Sequence, residues 1–340
     1  MEVRLVDPSN DNELAEWTAV LRASDEDLWP GLIGFTLPDI RAFGRHRSGS
    51  KRFDLLAARD RGGPILGVGM MELPLRDNVR GAEVTVAVHP AHRRRGVGTA
   101  IVEGMAEHGR ADGRTVLNSI VDVPLECAAE HASLSFAPKL GFEAMLDGNL
   151  RHLRLPMDGA RMHELRAEVA RARGADAYRV LTFEAPWPAQ YLEDQCALFQ
   201  CMSTDEPHGD QGHEAEVWDA ERVRENDALH AARGARFHVA VAQHIASGRL
   251  AACTELTIAS DAPGQAWQML TVVHPEHRGH RLGLAIKLAN VDVLARQAPD
   301  VRVVVTGNAA VNAPMIAVND MMGFEVVGEG HFWQKHLDMP

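Results

Sequence analysis

A chain of 340 residues is long for one ordinary domain and suits two, each large enough to bury its own core. With 46% hydrophobic and 24% charged residues it reads as folded throughout, which excludes disordered and fibrous classes. A formal charge of -12 excludes a general nucleic-acid binder, because phosphate backbones are held by clustered lysine and arginine, and it leaves small cationic partners open.

No apolar run reaches the length of a membrane span, and Met1 to Pro8 lack the basic-then-apolar pattern of a signal peptide. A cytoplasmic location with no membrane partner is expected. Cys127, Cys196, Cys201 and Cys253 show no CxxC spacing, so neither a disulfide frame nor a metal is expected, only reduced and mostly buried thiols.

In chain order, an apolar run over Gly67 to Leu73 precedes a strand that closes at Val88-His89-Pro90. Arg93-Arg94-Arg95-Gly96-Val97-Gly98-Thr99 then opens a helix, and Gly141-Phe142 follows. Gly159 to Arg173, rich in Arg, Glu and Ala and punctuated by Gly174-Ala175-Asp176, predicts a linking helix with a solvated charged face. Met202 to Glu214 is polar, turn-rich and acidic, a loop placed to cover a site, with Asp205 and Glu206 as candidates for contacting an amine.

The landmarks then recur in the same order. Arg236 to Ile245 and Arg249 to Ile258 are β-rich runs separated by Ser247-Gly248, and a third strand, Ala266 to Val273, stops at His274-Pro275. Arg278-Gly279-His280-Arg281-Leu282-Gly283 opens a helix over Leu282 to Arg296 with apolar spacing at Leu282, Ile286, Ala289 and Val293. Val301 to Val305 predicts a strand, Ala313 to Met322 a helix ended by Gly323-Phe324, and Glu325 to His336 a final hairpin arm. Matching Gly67 to Leu73 against Ala251 to Leu256 makes Glu72 the counterpart of Glu255. Two copies of one mixed α/β unit are implied.

The strand-to-helix junctions carry the chemistry. A helix start exposes amide N–H groups without internal partners and carries partial positive charge, which suits a pyrophosphate, and glycine lets the backbone approach it closely. Here the chain resembles the GNAT acyltransferases, whose hallmark is a strand ending near Val-x-Pro followed by Arg/Gln-x-x-Gly-x-Gly/Ala at a helix start. Arg93-Arg94-Arg95-Gly96-Val97-Gly98 is a full match; in the second copy Arg281 stands for the first glycine, where it adds a phosphate contact or obstructs the turn.

The resemblance implies an α/β protein of two tandem GNAT folds, each a mixed, mostly antiparallel central sheet flanked by helices, over 1–155 and 178–340 with a linking helix at 156–177. The layout is similar to that of mycothiol synthase and other actinobacterial acyltransferases. It implies acetyl-CoA as cofactor, held by Val88, Arg93, Arg94, Arg95, Gly96, Val97, Gly98 and Thr99 in one copy. In the other copy it implies Thr271, Val272, Val273, Arg278, Gly279, His280, Arg281, Leu282 and Gly283, with Asn308 and Asn312 along the CoA arm.

It further implies acetyl transfer to a primary amine of a small molecule, by a monomer or homodimer. Glu255 is the candidate base, with a strand glutamate facing solvent as the other reading of that residue, and His89 and His274 hold the turns. The acid expected four residues before Gly-Phe, a tyrosine in the family, is replaced by Ala137 in copy one and by Asn319 in copy two, which stands as the second catalytic candidate. The second copy, with its asparagines, is the expected site of reaction. An acyl-CoA-binding module without acceptor chemistry is the alternative.

Overall fold

The computed structural model describes residues 1–205 and 213–338, apart from the side chains of residues 129 and 130. In chain order it contains β1 (Glu2–Leu5), α1 (Asp11–Leu28), α2 (Leu37–Arg45), β2 (Lys51–Arg59), β3 (Ile65–Pro74), β4 (Gly81–Val88), α3 (Val97–Ala111), β5 (Val116–Pro124), α4 (Ala132–Lys139) and β6 (Glu143–Arg154). There follow α5 (Gly159–Ala170), β7 (Tyr178–Glu184), α6 (Leu192–Asp205), α7 (Ala220–Ala232), β8 (Arg236–His244), β9 (Leu250–Ile258), β10 (Gln265–Val273), α8 (Leu282–Gln297), β11 (Val303–Ala309), α9 (Ala313–Met322) and β12 (Glu325–His336). No helix among the described residues is long and apolar enough to cross a membrane.

The chain forms two compact units. Unit 1 comprises Met1–Gly148, His208–Glu214 and Gly328–Pro340; unit 2 comprises Asn149–Pro207 and Ala215–Val327. In unit 1 the strands run in the order β1-β2-β3-β4-β5, with Gly328 to His336 of β12 antiparallel beside β5. In unit 2 the order is β7-β8-β9-β10-β11, completed by the Asn149 to Arg154 part of β6. Each sheet is therefore mixed and mostly antiparallel, its one parallel pair being β4 with β5 or β10 with β11 among the registers described.

The last strand of each sheet comes from the copy that is elsewhere in sequence. The segment Glu325 to His336, expected as a hairpin arm of copy two, is one long strand whose greater part belongs to unit 1. A six-stranded sheet needs an edge partner for β5 or β11 of the right length and alternation, and either closing strand has both.

Local chemistry explains the helix limits. Asn10 accepts from the amide of Glu13 at the start of α1, Asp158 from Arg161 at α5, Asp219 from Glu221 and Arg222 at α7, and Thr36 with Asp39 forms a capping box at α2. The helices α3 and α8 begin without any side-chain cap. Helix α5 packs Met162 and Leu165 into the core of unit 2. Trp17 donates its indole N–H to Leu56 O at 2.9 Å in the core of unit 1. Cys253 is buried, but Cys127 is exposed and Cys196 and Cys201 are only half-buried, which corrects the expectation of mostly buried thiols.

Gly328 shows how tightly β12 is fitted. A Cβ there would stand 2.2 Å from Cη2 of Trp29 and 2.7 Å from the carbonyl oxygen of Val123. Gly328→Val is expected to lower stability by about 1–3 kcal/mol, measured by urea unfolding with an unchanged slope.

Candidate active site

Both strand-to-helix turns are built alike. At the end of β10, His274 Nδ1 accepts from the amide of Glu276 at 3.4 Å; at the end of β4, His89 Nδ1 accepts from Ala91 at 3.3 Å. The histidines hold the turns, as expected. Arg278 Nε donates to Val273 O at 3.2 Å and its guanidinium pairs with Asp205; Arg93 Nε donates to Val88 O at 3.3 Å and its guanidinium pairs with Asp27. These two arginines brace the turn against the C-terminal end of α6 or α1. They correct two expectations: the Arg93 guanidinium is not left over for phosphate, and Asp205 is engaged by Arg278 rather than reserved for an amine. Glu206 lies outside the described residues.

Two left-handed residues follow in each turn. In unit 2 they are Gly279 (φ 83°) and Arg281 (φ 57°); in unit 1, Arg94 (φ 61°) and Gly96 (φ 80°). The glycine and the arginine have exchanged places, so Arg281 does not obstruct the turn. It adopts the backbone that glycine prefers, at a cost of roughly 1–2 kcal/mol. Alternating handedness turns successive amides to one side, the arrangement that cups an anion, and the uncapped N-terminus of α8 or α3 adds its own donors. The Arg281 side chain pairs with Glu168 at 2.7 Å and so is drawn away from the amides. His280 Nδ1 is bound to the carbonyl of Arg173. Arg94 and Arg95 are exposed.

Leu282 and Val97 are buried and anchor the helix starts, with Gly283, or Gly98 and Thr99, completing the first turns. The space above them differs. A Cβ on Gly98 would lie 2.8 Å from Cζ of Phe136, whereas one on Gly283 would meet only Val273 and Val318 at 3.9 and 4.0 Å. The copy with the better glycine motif has the more crowded turn.

The strands beside each turn splay. β10 pairs with β11 only from Gln265 to Trp267, and β4 with β5 only from Gly81 to Glu83. Thr271, Val272 and Val273, and Val88 in unit 1, therefore lie on the open stretch of the strand. Only β10 is bulged: its register with β9 shifts between Gln268 and Thr271, while β3 and β4 pair without a shift. Gln268 Nε2 donates to Thr254 Oγ1 and Glu255 O, both at 2.7 Å, and Thr254 Oγ1 meets Thr271 Oγ1 at 2.7 Å, which fixes the bulge. A bulge re-aims backbone groups, and such irregularities gather at active sites.

Glu255 stands on β9 opposite the bulge. It is 5% exposed, and Trp187 Nε1 donates to its Oε1 at 2.9 Å. Burial raises its pKa to about 7, opposed by the Trp187 hydrogen bond and reinforced by the charge of Asp227. The reading of Glu255 as a solvent-facing strand residue is thereby excluded. Pairing of Gly67 with Val88 and of Ala252 with Val273 puts Met70, not Glu72, level with Glu255. Glu72 is level with Thr257 and pairs with Lys51 at 2.6 Å, so unit 1 has no equivalent carboxylate. The offset of 185 residues that relates the two turns (274 − 89) already pairs Met70 with Glu255, so matching Glu72 to Glu255 is a slip of two residues along the strand.

Asn319 is wholly buried. Its Oδ1 accepts from Lys287 Nζ at 2.7 Å and its Nδ2 donates to Asn308 Oδ1 at 3.1 Å. Asn312 instead caps α9, its Oδ1 accepting from the amide of Met315 at 3.3 Å, so that oxygen is committed within the fold and not to a ligand. Lys287 was not singled out by the sequence, although it is a lone charge in the apolar stretch Leu282 to Leu288. It is 2% exposed and its pKa is lowered to about 7 by burial.

From about pH 7 to 10.5 the unfolded chain holds the Lys287 proton and the native chain does not, so this group makes stability rise with pH across that window. Lys287→Met is expected to stabilise the protein most near neutral pH, with the gain shrinking toward pH 10 in thermal melts.

His274, Glu276 and His277 bring one ligand atom each within 4.8 Å of one another. His274 Nδ1 already accepts a turn amide, which places its proton on Nε2, and His277 Nδ1 meets the Tyr178 hydroxyl at 2.9 Å. Both rings are committed to the turn.

A sheet that splays beyond one short parallel pairing, followed by an uncapped helix behind a cupped turn, agrees with the GNAT resemblance of the sequence. Residues 51–144 match the GNAT acetyltransferase domain family. The whole chain is similar to a tandem GNAT protein from the clavulanic acid biosynthesis pathway, at 28% identity and a TM-score of 0.81 over 99% of this chain and 98% of that one. It also shares the fold of a GCN5-related N-acetyltransferase from Sphaerobacter thermophilus, at 14% identity and a TM-score of 0.63 over 100% of this chain and 96% of that one. No curated protein matches the sequence. The chain thus carries a GNAT acetyltransferase domain match over residues 51–144 and is similar along its whole length to a tandem GNAT protein.

Proposed function

We propose that this protein transfers an acetyl group from acetyl-CoA to a primary amine of a small molecule by direct attack, and that the reaction takes place in unit 2. The observation that carries the reading is Glu255, buried opposite the only bulged stretch among the two central strands β4 and β10, beside their splayed edge.

The residues fit the donor. The amides of 279–283 and the start of α8 suit its diphosphate, the space over Gly283 is open, and the unpaired edge of β10 offers peptide groups to its arm. When bound, acetyl-CoA supplies an acetyl group activated as a thioester. The chain does the rest. Glu255, with a pKa near neutrality, takes the proton of the incoming ammonium, directly or through water. The amides of the bulged strand are preset donors for charge developing on the carbonyl oxygen. Thiolate is a competent leaving group, so the missing tyrosine does not block the reaction.

Unit 1 holds Met70 for Glu255, Ala137 for Asn319, no bulge in β4, and Phe136 against its turn. We assign it a supporting role. The functional halves are taken as 1–155 and 178–340 joined through 156–177, each sheet borrowing its closing strand.

The test is thiol release from acetyl-CoA across a panel of small amines. Steady release with at least one amine, abolished by Glu255→Gln, supports the reading. Saturable CoA binding with no release from any amine overturns it in favour of a binding module.

A further inference from the structure

The core of unit 2 holds a polar chain that the fold does not need. Lys287 on α8 donates to Asn319 on α9, which donates to Asn308 on β11 at 3.1 Å. Asn308 lies beyond Val305, the last residue of β11 paired with β10, and so at the splayed edge. The chain thus runs from the buried interior to the cleft.

Burying a lysine is unfavourable unless something answers its charge. Around Lys287 there is the one carbonyl oxygen of Asn319 and the ring of Phe324, with Nζ 5.2 Å from the ring centroid, and no ion pair to a described carboxylate. Unit 1 shows what packing alone asks of these places. Its register and helix start put Val102 where Lys287 stands, Ala137 at Asn319 and Val121 at Asn308. All three are apolar. The polar set occurs in the unit that also has the buried carboxylate and the bulge.

An amide is ambiguous: either end can face a partner. With Lys287 Nζ donating to Asn319 Oδ1 at 2.7 Å and Asn319 Nδ2 donating onward, only N–H groups are left at the other end of that amide. Asn319 then fixes Asn308 in the same way by occupying its Oδ1, and the Asn308 Nδ2 gives one hydrogen to the carbonyl oxygen of Ala309 at 3.1 Å and has the other to offer.

We propose that Lys287 is a positioning residue that, through Asn319, locks the Asn308 amide as an N–H donor for the sulfur of the acyl donor as it leaves. The inference rests on the acetyl-transfer reading above. In that step the ammonium gives one proton to the Glu255 carboxylate, which passes it to water; the amine nitrogen forms a bond to the acetyl carbon, the carbon–sulfur bond breaks with its electron pair kept on sulfur, and the second nitrogen proton leaves to Glu255. The Asn308 amide holds the negative sulfur; no proton passes through it.

The experiment is calorimetric titration of the full chain with coenzyme A and with desulfo-coenzyme A at about pH 9, where thiols are substantially ionised. Wild type is expected to prefer coenzyme A by about tenfold, as befits hydrogen bonds to a charged group. Lys287→Met is expected to bind both alike while melting no lower than wild type, since an apolar residue of similar shape relieves the burial. Retention of the preference in Lys287→Met overturns the proposal, as does its absence from wild type, or an equal loss for both ligands together with a lowered Tm. Failure of wild type to bind either ligand refutes the acetyl-transfer reading itself, a result distinct from those.

Discussion

Glu255→Gln is expected to lower kcat/KM for acetyl transfer by about 10²–10⁴-fold, the usual span for removing a general base. The glutamine keeps the shape of the side chain and can still accept from Trp187, so the fold survives and the loss reports proton transfer. In wild type the rate should rise with pH to a plateau above about 7, because the carboxylate must be ionised to take the proton and burial holds its pKa near that value. Trp187→Phe removes the bond that favours the charged form, so the rising limb should move to higher pH. The same group affects stability with a fixed sign. Its native pKa lies above the ordinary value of 4.5, so the native chain holds the extra proton between about 4.5 and 7, and stability falls as pH rises through that window. A rate profile that is flat across neutrality and unchanged by Trp187→Phe would remove Glu255 from the mechanism.

Gly283→Phe should abolish acetyl transfer, by about 10²-fold or more, because the ring would occupy the space over the first turn of α8 and displace a bound donor. The corresponding change in unit 1, Gly98→Phe, meets Phe136 at once and should cost about 1–3 kcal/mol of stability. Turnover per folded molecule should stay within about twofold, measured as thiol release normalised to folded protein. Equal loss of turnover from both variants would show that unit 1 also works as a donor site.

The turns were legible in the sequence because their residues are constrained one by one: proline after the strand, arginine to brace it, glycine or a tolerated arginine in left-handed backbone. Two such turns in register announce the repeat and, through it, the sheets. Glu72 looks like the partner of Glu255 because a shared residue type draws the match in a run of apolar side chains, although the 185-residue offset of the turns pairs Met70 with Glu255. Lys287 was passed over since a helical lysine ordinarily carries its head to water; only packing reveals that this one does not. Asp27 and Asp205, which hold the bracing arginines, lie far from them in sequence and look like ordinary helix-end carboxylates. The exchange of closing strands is invisible for a related reason, since both strands satisfy either edge.

That exchange bears on how the protein comes into being. A chain emerging from the ribosome with copy one complete still presents the bare margin of β5, and it must wait through the whole of copy two for the residues that cover it. Synthesis order and assembly order therefore differ. During the interval an open ladder of amides and carbonyls invites the wrong neighbour, so these two halves depend on being made as one polypeptide and cannot be treated as interchangeable cassettes.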